Sequence, residues 1–427
     1  MQAIKAEKLS DIHMTKFQTP RGTRDFLPGD MMKRQFILDT ARNVFERWGF
    51  DPLETPAFEE FELLTAKGGA AIRDEIYYFR DKSDRELGLR FDFTVPTCRV
   101  LASANLPKPF RRYQIGPVWR YDRPGSGRYR EFWQADVDIF GSSSIESDAE
   151  VVACACEVLR KIGLSNFFVR INNRKIMNAF FESLNINAMD AMRSVDKLNK
   201  IGEDGVREEL KSKKVDEDKI DSIIKFTRND DIEKIRKAVN SDSVEELEKL
   251  SKLLKMYGVP FRIDMSLVRG LEYYTGSVFE IMQEGSNLTI TAGGRYDNMV
   301  EGFGGKPTPA VGISLGIDRL VDFIQLELGR TKTTIYVAPV NENVREKAIE
   351  ISSELRSLGL NVECDVMSRP LGKQLEYVNA KGIRFSIVVG ENELKSSVVK
   401  LRNMETGSEK EVELKNLKRV ADIVNSG

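Results

Sequence analysis

RRYQIGPVWRYDRPGSGRYREFWQADVDIFG, residues 111–141, decides the reading of this chain. Its flanks carry apolar, β-branched and aromatic residues. Its middle carries Pro124, Gly125, Ser126 and Gly127, so the stretch reads as strand, loop, strand. Six arginines fall between Arg111 and Arg130, with only Asp122 against them. The second strand alternates, with Phe132, Gln134, Asp136 and Asp138 on one face and Trp133, Ala135, Val137 and Ile139 on the other. Cations at a loop and carboxylates further down one strand suit a ligand with phosphate at one end and ammonium or imidazole at the other. A solvated arginine-rich surface hairpin is the competing reading, and the apolar strands weigh against it.

The 427 residues suggest two or three domains with ample core. At 41% hydrophobic and 31% charged, the composition is that of a soluble globular protein. The net charge is −1, so a polyanionic partner must be met by local clusters. No run of 18 apolar residues occurs, so no membrane span is expected. MQAIKAEKLSDIHMTKF has no apolar segment of the signal-peptide kind. Cys98, Cys154, Cys156 and Cys364 form no CxxC and read as reduced residues in a cytoplasmic protein. His13 is the sole histidine. Ser-His-Asp or Cys-His catalysis would need this tail residue to fold back, and a His-type zinc site is nearly excluded. Chemistry must run on Arg, Asp, Glu, Tyr, Gln and substrate groups, with any Mg²⁺ held by carboxylates.

Residues 1–19 read as a mobile tail. PRGTRDFLPGD (20–30) leads through an Asp30 cap into a helix over 31–48, then a short strand closed by Pro56. Residues 58–67 read as helix, and 77–80 and 86–94 as a strand pair. Asp92, between Phe91 and Phe93, is then either an exposed strand residue or an inward ligand. Residues 172–258 change character: charges become dense and balanced, and a helical period runs throughout, as in Ile220, Ile223 and Ile224 or Val244, Leu247, Leu250, Leu253 and Leu254. Sheet character returns at 259. Tyr274 and Gly276 alternate with Tyr273 and Thr275 in an expected strand. Gly293-Gly294 marks either a close backbone approach or a turn. Beyond Thr331 strands and helices alternate, implying a small α/β domain with a mixed sheet.

Several separated motifs, in order, resemble the histidyl-tRNA synthetases, a family of class II aminoacyl-tRNA synthetases. PRGTRDFLP with the helix–strand–Pro56 unit resembles the first class motif, which builds a homodimer interface. VWRYDRPGSGRYREF resembles the second motif and VGISLGIDRL the third. LVRGLEYYTG and AGGRYDNMV resemble segments particular to histidyl enzymes, although Glu272 stands where many members have Asp. LRFDFTVP is similar to the archaeal and eukaryotic branch.

The resemblance implies an α+β fold: a class II antiparallel sheet flanked by helices, a helical insertion and a C-terminal α/β anticodon-binding domain. The divisions expected are a tail (1–19), the catalytic core in two parts (20–171 and 259–330), the insertion (172–258) and the anticodon-binding domain (331–427). The implied substrates are ATP with Mg²⁺, L-histidine and tRNA(His), and the implied assembly is a homodimer. No residues holding Mg²⁺ are implied. Arg120 and Arg269 would hold the α-phosphate as catalytic residues and also border the histidine. Arg319 would hold the γ-phosphate, Phe132 would stack on adenine, and Arg128 or Arg130 would hold the bent triphosphate. Asp92, Thr94 and Gln134 would surround the α-ammonium and neighbouring groups, and Phe93 would also belong to the histidine-binding set. Asp138 and Tyr274 would face the imidazole, with Tyr273 adjacent. Arg111 and Arg112 gain no role and read as surface charges. Arg369, Lys373, Lys381 and Arg384 are candidate tRNA phosphate contacts, or solvated charges. The competing function is a non-catalytic paralogue serving as a regulatory or histidine- or tRNA-sensing subunit.

Overall fold

The structure, a computed structural model, describes residues 17–425 except 67–68, 124, 126, 240, 269–272, 286–288 and 327. His13 and Arg269 lie outside the described residues. The chain divides into two compact units, one of residues 34–324 with the segment before 26, the other of residues 26–33 with 325–427.

In chain order the first unit has strands β1 (Asp51–Pro52), β2 (Phe58–Glu60), β3 (Tyr78–Arg80), β4 (Glu86–Leu89), β5 (Phe110–Trp119), β6 (Glu131–Phe140), β7 (Phe167–Asn173), β8 (Phe261–Ile263), β9 (Ser277–Gln283), β10 (Thr289–Arg295) and β11 (Ala310–Gly316). Eight of them form one sheet in the order β1-β5-β6-β11-β10-β9-β7-β8. Its six inner strands are antiparallel, and β1 and β8 join parallel at the edges. Ala135, Val137 and Ile139 on one face of β6 are buried. The amphipathic helix Ile145–Lys161, with Val151, Val152, Ala155 and Leu159 buried, packs on β6 and β11. That leaves the Gln134–Asp136–Asp138 face for a cleft. Helices from Arg174–Ser183 to Ser243–Met256 fill the span between β7 and β8. Their apolar stripes, including Ile220, Ile223, Ile224, Leu247 and Leu254, are buried, as the helical period requires.

Three local expectations need correction. Residues 58–60 are a strand before the helix Phe61–Thr65, pairing with β4. β4 ends at Leu89, so Asp92 sits in the bend before the helix Thr94–Ser103, where its Oδ1 accepts from Val95 N at 3.1 Å. The Phe-Asp-Phe alternation imitates a strand, but the carboxylate meets the donors of a helix start. Tyr273 and Tyr274 likewise precede β9 and do not alternate within it.

The second unit has strands β12 (Ile335–Pro339), β13 (Val362–Cys364), β14 (Phe385–Val389), β15 (Val398–Asn403) and β16 (Glu409–Glu413), in the order β13-β12-β14-β15-β16. The first three are parallel and the last two join antiparallel, giving the mixed sheet that alternation implied. Ile335, Val337, Ile351, Leu355, Ile387 and Val389 form its core. No helix among the described residues is long and apolar enough to cross a membrane.

Candidate active site

The strand pair β5–β6 forms one wall of a cleft of about 660 Å³ in the first unit. Its register places Arg112 opposite Asp138, Gln114 opposite Asp136, Gly116 opposite Gln134 and Val118 opposite Phe132. Gln134, Asp136 and Asp138 line the cleft towards one end, and Arg120, Arg128 and Phe132 line it towards the other. β10 and β11 form the floor where the side chains vanish. A Cβ on Gly312 would lie 1.8 Å from Asp138 Oδ1, and one on Gly293 would lie 2.1 Å from the Gly312 carbonyl oxygen. Of the two readings of Gly293-Gly294, close approach is the one realised.

The acidic end is desolvated. Asp92, Asp136 and Asp138 are buried, as is Thr94. Burial pushes the Asp92 carboxyl up to about 6, against the opposing pull of the Val95 amide and of Arg120 and Arg112. Burial pushes Asp136 up to about 7, against the pull of Arg112 and the Ser314 hydroxyl. Asp138 is also raised by burial, while Arg112 and the Tyr296 hydroxyl oppose the rise. Tyr296 donates its hydroxyl to Asp138 Oδ1, and Gln134 Nε2 donates to the Ser314 hydroxyl. The Tyr273 and Tyr274 rings, 4.8 Å apart, close the same end.

Arg112 overturns its reading as a surface charge. It is wholly buried, 2.7 Å from Asp138 Oδ2, yet its Nε, Nη1 and Nη2 find no aligned hydrogen-bond acceptor. Arg111 is also engaged: it forks onto Glu150 at 2.5 and 3.0 Å and covers the Phe50 ring.

The basic end is open. Arg120 is half-buried; its Nε donates to the Phe91 carbonyl at 3.0 Å, and its guanidinium lies 5.2 Å from the Phe132 ring centroid. Arg319, in the first turn of the helix Ile317–Phe323, donates Nη1 to the Thr289 carbonyl at 2.5 Å. Arg128 lines the cleft and is exposed. Arg130 turns away: its guanidinium lies over Tyr121 and its backbone amide donates to the Gly22 carbonyl. Phe93 also lies outside the cleft lining, wholly buried against the Arg90 guanidinium. The structure thus brings together Asp92, Thr94, Arg120, Arg128, Phe132, Gln134, Asp138, Tyr273, Tyr274 and Arg319, and leaves Phe93 and Arg130 outside.

Sequence reasoning missed several members. Asp136 was placed on the correct face by alternation but given no role. Asp318 accepts from Arg34 at 2.7 Å, from Arg24 at 3.0 Å and from the Trp133 amide at 2.6 Å. It therefore ties two N-terminal arginines to the residue between Phe132 and Gln134. The only sequence signal for it was its place beside Arg319. Asp196, Asn199 and Lys200 of the helical segment also line the cleft. In the second unit, Arg369 pairs with Asp365 at 2.8 Å, Lys373 with Glu376 at 2.7 Å and Lys381 with Glu363, while the Arg384 guanidinium lies over Phe385. Arg369, Lys373 and Lys381 thus each carry an internal carboxylate.

The family profile described as Histidyl-tRNA synthetase matches residues 22–320, and one described as Anticodon binding domain matches residues 334–422. The Histidine–tRNA ligase of Clostridium tetani is 37% identical over 424 residues, covering 92% of this chain and 95% of that protein. The Histidine–tRNA ligase of Methanococcus maripaludis is 38% identical over 418 residues, covering 94% and 99%. Bacterial and archaeal relatives thus match at similar levels. The crystal structure of histidyl-tRNA synthetase from Nostoc sp. superposes with a TM-score of 0.84 at 32% identity, over 96% of this chain and 99% of that one. A structure described as an ATP phosphoribosyltransferase regulatory subunit/histidyl-tRNA synthetase from Bacillus halodurans gives 0.72 at 27% identity, over 82% and 93%.

Proposed function

The chain belongs to the histidyl-tRNA synthetase family, and from that premise we propose how its cleft ligates L-histidine to tRNA(His) through histidyl-adenylate. The supporting observation is that one strand pair carries phosphate-type ligands at one end and ammonium- and imidazole-type ligands at the other. ATP lies at the basic end, with adenine on Phe132, the γ-phosphate on Arg319 and the bent triphosphate near Arg128. Histidine lies at the acidic end, its ammonium facing Asp92, Thr94 and Gln134 and its imidazole facing Asp138, Tyr273 and Tyr274. The regulatory-subunit reading is not favoured, because the anticodon-binding match follows the synthetase match in the same chain.

In the first step the histidine carboxylate oxygen bonds to the α-phosphorus and the bond to the β-phosphate bridging oxygen breaks, releasing pyrophosphate. Negative charge grows on the equatorial α-phosphate oxygens, where Arg120 is the preorganised donor among the described residues. Arg269 fills the partner role assigned by the motif LVRGLEYYTG. Mg²⁺ enters with ATP. It keeps phosphate oxygens and water among its ligands, with one or two carboxylates completing the set. In the second step a ribose hydroxyl at the tRNA 3′ end attacks the activated carbonyl and AMP leaves. The proton passes to an adenylate phosphate oxygen or to the substrate imidazole, because the chain's single histidine lies in the tail. Loss of single-turnover transfer on deleting His13 would refute that route.

Residues 331–427 bind the anticodon, the acceptor end lies near the loop bearing Gly125 and Gly127, the helical segment 172–258 is an insertion into a core of 20–171 and 259–330, and the enzyme works as a cytoplasmic homodimer. Histidine-dependent ATP–pyrophosphate exchange tests the reading. Exchange with histidine alone among the amino acids supports it, and no exchange with any amino acid overturns it.

A further inference from the structure

We propose that Asp136 is a specificity-determining ligand of the histidine side chain, held in place with Asp138 by the buried guanidinium of Arg112. This rests on the assignment of the acidic end to histidine. Asp136 stands between Gln134 and Asp138 on the face of β6 that lines the cleft, and it is 4% exposed. The groups around it are Arg112 and Gln114 from β5, Ser314 from β11, Asp138 on its own strand and Asp92 from the bend before the helix Thr94–Ser103.

The polar atoms at this end are not all satisfied. Asp138 Oδ1 is taken by the Tyr296 hydroxyl, and its Oδ2 lies against Arg112. Asp136 Oδ1 and Gln134 Oε1 are buried with no aligned donor among the described residues, although the Ser314 hydroxyl stands beside the Asp136 carboxyl. A buried acceptor without a donor is costly, and it is retained where a ligand supplies the donor. Counting charges gives the same direction. Among the described residues, the three carboxylates Asp92, Asp136 and Asp138 are buried beside one buried cation, Arg112, once Arg120 turns to the phosphate. Among those residues this end is short of positive charge and N–H donors, and histidine brings both in its ammonium and its ring.

Geometry assigns Asp136 to the ring. Residues two apart on a strand are separated by ~7 Å. Two acceptors engaging both nitrogens of one imidazole through ~2.8 Å hydrogen bonds stand about that far apart. Asp138 takes one ring nitrogen, and Asp136 takes the other alongside the Tyr274 hydroxyl. As a carboxylate Asp136 accepts from a ring N–H, so the pocket demands nitrogen at both sides of the ring. Arg112 is a positioning residue: it touches no substrate and acts through the two carboxylates.

The test is Asp136→Asn in the full-length enzyme. Histidine KM in pyrophosphate exchange is expected to rise about tenfold or more, with ATP KM unchanged within about twofold. The ligand-free variant is expected to melt higher at pH 8, because a buried carboxylate has been removed; a purely structural carboxylate would melt lower. An unchanged histidine KM, or an equal rise for both substrates, overturns the proposal. Arg112→Lys should raise histidine KM alone, and an unchanged value overturns the positioning role. The wild-type protein gives a readout independent of folding: ring-¹⁵N-labelled histidine bound to it should show both nitrogens hydrogen-bonded, and a free ring nitrogen overturns the proposal. Failure of the wild-type protein to catalyse histidine-dependent exchange would instead strike the functional reading itself.

Discussion

At the acidic end of the cleft Asp92, Asp136, Asp138 and Arg112 are all more than nine-tenths buried, whereas at the basic end Arg128 is exposed and Arg120 and Arg319 are half-buried. Both ends hang on the same two strands. On the function proposed above, the difference follows from what each must bind. A triphosphate brings its own dense charge and counterions, so arginines left partly in solvent suffice. A single amino acid must be distinguished from its isosteres, so its ligands are fixed in a dry wall where unmatched polar groups are costly. Defects at the acidic end should therefore appear in stability and in histidine affinity. Defects at the basic end should appear in the rate.

The sharpest break would come from Arg112→Ala, which leaves Asp138 without its counter-charge. Stability is expected to fall by about 3–5 kcal/mol in denaturant unfolding, as for other buried pairs deprived of one partner. A loss under ~1 kcal/mol would mean that water reaches the acidic end. Next, Arg120→Ala should slow histidine-dependent pyrophosphate exchange by ~10²–10³-fold, as when one transition-state donor is lost, with little change in unfolding midpoint. Similar stability losses in both variants would erase the contrast. Asp138→Asn should raise histidine KM by ~10-fold and leave ATP KM within ~2-fold, since a buried hydrogen-bonded group is unpaired at one end only. Equal losses would argue against a directional cleft.

The smallest effect concerns pH. Asp92 is raised to about 6 and Asp136 to about 7, so both carboxylates are ionised only above these values. Acidification from pH 8 through 7 to 6 removes the counter-charges for the substrate ammonium and ring. Histidine KM should therefore rise several-fold over that window, and the limb near 7 should vanish in Asp136→Asn. The stability sign is opposite. The folded state keeps these protons above the pH at which the unfolded chain releases them, so the ligand-free protein loses their contribution as pH rises through 6 to 7. Thermal melts of the ligand-free protein at pH 5.5 and 8, compared between wild type and Asp136→Asn, would check it.

The hairpin itself was readable, because period-two alternation and a Gly/Pro-rich centre are local signals. The family motifs gave ATP, histidine and tRNA(His), which residue patterning alone could not name. Arg112 was misread for a physical reason. Its burial depends on standing opposite Asp138, and that register is set across an irregular loop of residues 120–130, whose geometry no two-residue turn rule fixes. Asp92 was misread because three residues of alternation cannot distinguish a strand from a bend entering a helix. Phe93 followed it into the expected site, yet its ring packs on Arg90, behind the wall. Asp318 was invisible because its partners, Arg24, Arg34 and Trp133, are brought to it only by tertiary folding.

The pairing of β5 with β6 runs unbroken from Phe110 opposite Phe140 to Trp119 opposite Glu131. Phe132, Gln134, Asp136 and Asp138 therefore stand on a rigid scale of ~7 Å divisions, ~20 Å from first to last. With histidine and ATP placed as proposed, such a strand measures its substrate. An amino acid lengthened by one methylene could seat its ring against Asp138, but its carboxyl would then stand ~1 Å out of line with the α-phosphorus, an error that costs ~10²-fold in rate. Length is thus judged at the far end of the molecule from the group that carries its identity, and no wall is needed to enforce it.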